Sequence, residues 1–292
     1  MMTTSRLMIA ATGVALVLGG CGKLKDAAGG KVPGGLPGGG LDPNACGGYS
    51  ASDAGRKLKA FFEATKELDK ISGDISVTVK DSCVLMGKDL GMAEADLGGD
   101  DIGAVCNKVI AGIQANLSVA FKGKASLKIV AKPAVCKADL DVQAKAAGEC
   151  EGKADVGPGG SNASSQCRAS GSIKVAAAVQ CTPPEFSVEA DAKMVVDKPK
   201  ADMTIKALQD GMPKLLDVKG HVEPLKTAVE QWLVSVKELK DAGSSLAQSF
   251  KDQAMCITGQ LAAVADMTGH IQANVSVSVS VSASASGTVG GG

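Results

Sequence analysis

Cys136-KADLDVQAKAAGE-Cys150 and Cys167-RASGSIKVAAAVQ-Cys181 decide how this chain is read, because the two cysteine-bounded segments have equal length. Paired antiparallel, they place Cys136 opposite Cys181 in the same register that places Cys150 opposite Cys167. Side-chain alternation agrees. Cys136, Ala138, Leu140, Val142, Ala144 and Ala146 form the small or apolar set of the first segment, with Lys137, Asp139, Asp141, Gln143 and Lys145 between them. Cys167, Ala169, Ile173, Val175, Ala177, Val179 and Cys181 form the set of the second. Successive strand residues point to opposite faces, so this register lays both sets on one face. The expectation is a long β-hairpin stapled at both ends, by Cys136–Cys181 and Cys150–Cys167.

Outward from the hairpin the alternation continues. Its tip, 151–166, contains GPGGSNASS and reads as a loop. Upstream, Leu117, Val119, Phe121, Ala125, Leu127 and Ile129 alternate with Ser118, Lys122, Lys124, Ser126 and Lys128, and Lys132-Pro133 turns into the stapled segment. Downstream, Thr182-Pro183-Pro184-Glu185 turns into a fourth strand with Phe186, Val188, Ala190, Ala192, Met194 and Val196 on one face. The result is a meander over 117–197, apolar on one side and striped with Lys, Asp and Glu on the other.

Helical patterns flank this region. Leu58, Phe61, Phe62, Leu68 and Ile71 recur at helical spacing from Asp53, a candidate cap, and the helix is extended to about Val84 although Ile75, Val77 and Val79 also alternate. Glu94, Asp96, Asp100 and Asp101 sit in a Gly- and Asp-rich loop whose spacing fits no EF-hand. Ile102, Val105, Val109, Ile110 and Ile113 mark a second helix over 101–115. From about 203, Ile205, Leu208, Met212, Leu215 and Leu216 form one stripe, Gly220 and Pro224 mark a break or kink, and Val222, Leu225, Val229, Trp232, Leu233, Val236 and Leu239 form another. Leu246, Phe250, Ile257, Leu261, Val264, Met267 and Ile271 carry a last helix. The strict Ser alternation of Val275, Val277, Val279, Val281, Ala283 and Ala285 reads either as a low-complexity tail or, as preferred here, as a fifth strand. IQANLSV at 113–119 is echoed by IQANVSV at 271–277, which suggests two helix-to-strand units.

The expected fold is therefore α+β: an antiparallel meander sheet of four or five strands, disulfide-stapled, with amphipathic helices packed on one face. It forms a single domain over 49–288, with helices in 51–116, sheet in 117–197, helices in 203–272, a strand in 273–286, and a flexible tail at 287–292.

Composition narrows the function classes. The 292 residues carry 31 basic and 31 acidic side chains, so no long-range field favours nucleic acid or an anionic surface. Five Phe, Trp232 and Tyr49 are the whole aromatic complement, too few for base or sugar stacking or for the girdles of a membrane barrel. Nine cysteines are present, an odd number that the start of the chain resolves. Arg6 precedes the 12-residue apolar run LMIAATGVALVL (7–18), which leads into Leu18-Gly19-Gly20-Cys21. This segment resembles the signal peptide and lipobox of bacterial lipoproteins, with Gly19 the less common middle residue. The resemblance covers residues 1–21 alone, and no family is recognised for the folded body. It implies cleavage before Cys21, a diacylglyceryl thioether on its sulfur and an N-linked acyl chain such as palmitate. Gly22, in place of a retention Asp, implies the outer membrane. Residues 21–48, rich in Gly and Pro, read as a tether holding the body on the order of 25–30 Å from the lipid.

Setting Cys21 aside leaves eight cysteines in an exported chain, and four disulfides are expected. Cys46, Cys83, Cys106 and Cys256 allow three pairings, of which Cys83–Cys106 with Cys46–Cys256 is preferred. No CxxC spacing points to zinc. His221 and His270 belong to no HExxH and read as cap, surface or structural residues, and no nucleophile or phosphate-loop motif occurs. No catalytic residue, metal ligand or cofactor is expected. Two functions fit. One is a non-catalytic envelope lipoprotein that binds another envelope protein through the polar sheet face or the 151–166 tip. The alternative is a carrier of a hydrophobic molecule or lipid between sheet and helices, lined by Ala138, Ala144, Ala146, Ala177, Ala190 and Ala192. A pore former inserting the Ser/Val strand fits less well, given so few aromatics.

Overall fold

A computed structural model describes residues 41–122, 127–154 and 156–290. The signal segment, Cys21 and the tether up to residue 40 lie outside the described residues. A short 3-10 turn, Gly48–Ala51, leads into α1 (Asp53–Asp89). Ser52, not Asp53, caps it: the Ser52 hydroxyl accepts from the Gly55 N–H. The ambiguous DISVTVK stretch lies inside this helix, because Ser72, Ser76, Val79, Cys83 and Met86 bury at three-to-four spacing while Val77 is exposed. Next come α2 (Glu94–Leu97) and α3 (Ile102–Ala120), the latter capped by the Asp101 carboxylate on the Ala104 N–H. There follow β1 (Leu127–Lys132), β2 (Val135–Lys137), α4 (Leu140–Glu151), α5 (Ser165–Ala178), β3 (Gln180–Thr182) and β4 (Glu185–Ala190). The chain closes with α6 (Lys198–Asp241), α7 (Gly243–Ser249) and α8 (Ala254–Gly290).

Helices and antiparallel strands share one chain, so the α+β class stands, but the four- or five-stranded meander does not form. Among the described residues four short strands make two separate pairs, β1 with β4 and β2 with β3. Their register is the one read from the cysteines: Cys136 faces Cys181, Val135 faces Thr182, and Lys132 faces Glu185. Between Lys137 and Gln180 the expected strands are replaced by a helical hairpin, α4 and α5. Asp139 caps α4 by accepting from the Asp141 and Val142 N–H groups, and Gly152 ends it at φ 68°, a left-handed conformation suited to glycine. Helical periodicity then buries Gln143, Ala147 and Cys150 and leaves Leu140 exposed.

The tail is also corrected. Residues 273–286 belong to α8, which runs on through 287–290, so neither the fifth strand nor a tail starting at 287 is found. Ile271, Val275, Ser278, Ser282 and Ala285 are buried on one helical stripe. Ser278 satisfies its hydroxyl by donating to the Asn274 carbonyl. Both copies of the IQAN echo are helical, in α3 and α8. Gly220 and Pro224 do not break the chain, since α6 runs through Pro213 and Pro224 as 44 residues. Leu41, Cys46 and Tyr49 are buried, so 41–48 belong to the body rather than to a free tether. The Tyr49 hydroxyl donates to the Pro43 carbonyl at 2.8 Å. Burial, with Glu63 and Asp42 nearby, pushes its phenol up to about 12.

Two cores are strung along α1, α6 and α8. One joins Leu58, Phe61, Phe62 and Leu68 of α1 with Ile173 of α5, Leu225 and Trp232 of α6 and Ile257 of α8. The other joins Val79 and Met86 with Val109 and Ile113 of α3, Leu208 and Leu215 of α6 and Val281 of α8. The β1–β4 ribbon lies against the second core through Leu127, Ile129, Phe186 and Val188. Its other face carries Lys132, paired with Glu185 at 2.7 Å, so the apolar-in, polar-out alternation read for these two strands is realised. α3 is long and apolar enough to cross a membrane, yet its Val105, Cys106, Val109 and Ile113 are core residues.

Candidate functional site

The root of the helical hairpin is where the chemistry-bearing side chains meet. Pro133 and Ala134 separate β1 from β2 and lay the chain on α6, where the Ala134 N–H donates to the Leu216 carbonyl at 3.2 Å. Gly220 permits this approach: a Cβ there would sit 2.5 Å from the Ala134 carbonyl oxygen. Cys136, two residues on, bridges to Cys181 directly across the β2–β3 pair. One residue beyond Gly220, the His221 Nε2 lies 3.2 Å from the Cys181 Sγ. The Nδ1 lies 3.0 Å from the Asp217 backbone carbonyl, which can only accept, so Nδ1 carries the proton of the neutral ring. Nε2 therefore turns a lone pair toward the sulfurs. The donor atoms of Cys136, Cys181 and His221 lie within 4.8 Å of one another, and all three residues are half-buried. With the bridge closed, the sulfurs have no thiolate to offer a metal.

A polar clamp holds the other end of the hairpin. Arg56 on α1 donates through Nε to the Cys150 carbonyl and through Nη2 to the Glu151 carbonyl, each at 3.1 Å, covering the last carbonyls of α4. Glu151 is buried and pairs with Lys57 at 2.8 Å, and it accepts from the Ser164 N–H. Burial alone would raise its carboxyl, but the hydrogen bonds from Lys57 and Ser164 outweigh that and bring it down to about 2. The same bond holds the Lys57 ammonium above its usual range. Because the folded value of Glu151 lies below the ordinary 4.5, its stabilisation is complete above that pH and is lost as pH falls toward 2. Glu151→Gln is expected to cost about 3 kcal/mol at pH 7, with the gap to wild type closing as pH falls from about 5 to about 2. Urea unfolding at several pH values measures this; a gap independent of pH would show that the charge is not what holds the clamp.

Against known proteins, the chain matches no family model, no curated protein and no solved structure.

Each of the eight cysteines among the described residues is bridged: Cys46–Cys256, Cys83–Cys106, Cys136–Cys181 and Cys150–Cys167. The lipidation residue Cys21 lies outside the described residues. Of the acidic cluster, Asp101 is a helix cap and Asp96 pairs with Lys108 at 3.2 Å, so these two have structural employment. His270 is exposed on α8. The alanines expected to line a cavity do not share a face: Ala138, Ala177 and Ala192 are exposed while Ala146 is buried. Shallow depressions mark the described surface. One of about 570 Å³ is lined by Ala144, Gly148, Glu149, Lys153 and neighbours, and another of about 340 Å³ lies around Tyr49 and Phe250.

In sequence His221 has the look of a cap or surface residue rather than a site residue. The separation of 40 positions from Cys181 produces no local motif. The available signal was Gly220, a glycine inside an apolar helical stripe, which marks a close backbone approach.

Proposed function

We propose that this chain is a bacterial envelope lipoprotein, anchored by lipid on Cys21, with a non-catalytic structural or protein-binding role. One observation supports it most: the eight body cysteines pair among themselves, and the ninth is the one in the lipobox-like Leu18-Gly19-Gly20-Cys21. A fully bridged set suits an oxidising compartment, and a cysteine committed to a thioether needs no partner. Gly22 favours the outer membrane as the destination. The charged outer face of the β1–β4 ribbon, with Lys132 and Glu185, is the surface proposed for a second envelope protein. The carrier alternative loses its motivating feature, since the small residues invoked for it are scattered over exposed and buried positions.

Mass spectrometry of the protein from membrane fractions tests the anchor. The N-terminal peptide is expected to begin at Cys21 with a diacylglyceryl adduct, and Cys21→Ala is expected to abolish both cleavage and lipidation. A free Cys21 thiol, or processing at another bond, would overturn the reading. Cross-linking in intact envelopes addresses the binding role; recovery of no reproducible partner counts against it.

A further inference from the structure

We propose that Cys136 and Cys181, once their bridge is opened by a dithiol, form with His221 Nε2 a site for a thiophilic divalent cation such as Zn²⁺. A tetrahedral cation with Zn–S near 2.3 Å and Zn–N near 2.0–2.1 Å needs its donors roughly 3.5–3.8 Å apart. The three donor atoms here already lie within 4.8 Å, with the histidine nitrogen 3.2 Å from one sulfur. The sulfurs, bonded to each other in the bridge, have to part by roughly 1.7 Å to reach that spacing, while the histidine nitrogen is already close to it. The two cysteines face each other across a strand pair, with Cα atoms 4.0 Å apart, and the Ala134–Leu216 hydrogen bond ties this segment to the helix that carries His221. The Asp217 carbonyl holds the ring in the tautomer that a metal requires and is the outer partner that metal-bound imidazoles use.

Access separates this bridge from the other three. Cys136 and Cys181 are both half-buried, whereas Cys83, Cys106, Cys150 and Cys167 are buried, and the remaining pair joins a half-buried Cys256 to a buried Cys46. Reduction proceeds by exchange with an exported dithiol reductase or a small dithiol. A thiolate of the donor attacks one sulfur, the bond between Cys136 and Cys181 breaks, and the other sulfur leaves as thiolate. The donor's second thiol then resolves the mixed disulfide, so the donor is oxidised to its own disulfide and this pair is reduced to two thiols. The cation binds as both thiols lose their protons to solvent, with solvent in the fourth position. The strand pair stays clasped in both states, by a covalent bond in one and by a metal in the other. None of this depends on lipid at Cys21.

The detergent-solubilised full chain is treated with one molar equivalent of dithiol, its cysteines are mapped by differential alkylation, and Co²⁺ is titrated in as a spectroscopic probe for zinc. The expected result is that Cys136 and Cys181 are labelled first. The opened chain then binds one Co²⁺ with thiolate-to-cobalt charge transfer and tetrahedral ligand-field bands, Zn²⁺ bleaches the spectrum, and untreated chain shows none. His221→Ala is expected to weaken cobalt binding by more than about 100-fold, beyond the roughly 10–100-fold that loss of an outer partner costs. His221→Gln, which can keep a bond to the Asp217 carbonyl, is expected to weaken it similarly with the fold preserved by circular dichroism. Three results would overturn the proposal: another bridge opening first, an opened pair that gives no cobalt spectrum, or histidine variants that bind as tightly as wild type.

Discussion

Replacing Trp232 with alanine is expected to lower the unfolding free energy by about 4 kcal/mol, as in other large-to-small core substitutions. Trp232 is fully buried on α6, in the core that also holds Leu58, Phe61 and Phe62 of α1. Its indole N–H donates to the Thr65 hydroxyl at 2.8 Å, and that hydroxyl donates in turn to the Phe61 carbonyl at 2.9 Å. Alanine leaves a cavity between α1 and α6 and strips Thr65 of its donor. Two further variants separate these effects. Trp232→Phe keeps much of the volume and should cost about 2 kcal/mol. Thr65→Val keeps the volume but leaves the indole N–H without an acceptor, at a cost of about 1–3 kcal/mol. Since Trp232 is the single tryptophan, its fluorescence follows unfolding in wild type and Thr65→Val, with circular dichroism serving the Trp232 variants. A loss below about 1 kcal/mol for alanine would contradict the packing described for this core.

Removing the Cys46–Cys256 bridge by double serine substitution should destabilise the body by about 5 kcal/mol, the larger effect expected of a long loop. The bridge spans 210 residues, against 17 for Cys150–Cys167, whose loss should cost about 3 kcal/mol on the same loop-closure scaling. Non-covalent contacts partly duplicate it. The Asp42 N–H donates to Gln260 Oε1 at 2.8 Å, and the Tyr49 ring meets Phe250 edge-on at 6.1 Å between centroids. The segment therefore stays docked at moderate temperature, and the cost appears as a lower midpoint in thermal unfolding. A double mutant of Cys150 and Cys167 that melts below the double mutant of Cys46 and Cys256 would show that entropy of the unfolded chain does not set the order.

The cysteine spacing carried the register because covalent geometry tolerates little error, and equal segment lengths hold whether the intervening chain is extended or helical. That indifference also hides the helical character of the hairpin. Ala144, Ala146, Ala147 and Ala177 are small enough to satisfy a period of two and a period near 3.6 at once. The deciding local signals were Asp139 as a cap, Gly152 as a stop and the helix-favouring AKAAGE between them. The tail is a different case. Val and Ser are poor helix formers, so tertiary packing overrides propensity where Val275 buries in the first core and Val281 in the second, with Ser278 buried between them. The stripes of α1, α3 and α6 were legible because they combine large aliphatic residues with charged ones, and only one period fits both. The site at His221 was not legible, since it depends on a docking between the 133–136 segment and a helix more than eighty positions away.

The bridges are nested: Cys150–Cys167 lies inside Cys136–Cys181, and that pair, like Cys83–Cys106, lies inside Cys46–Cys256. A single proteolytic cut anywhere between residues 46 and 256 therefore releases no fragment. Both pieces stay on one covalent skeleton, and a protease has to cut twice within one ring, or wait for a thiol, before any part of that span can diffuse away.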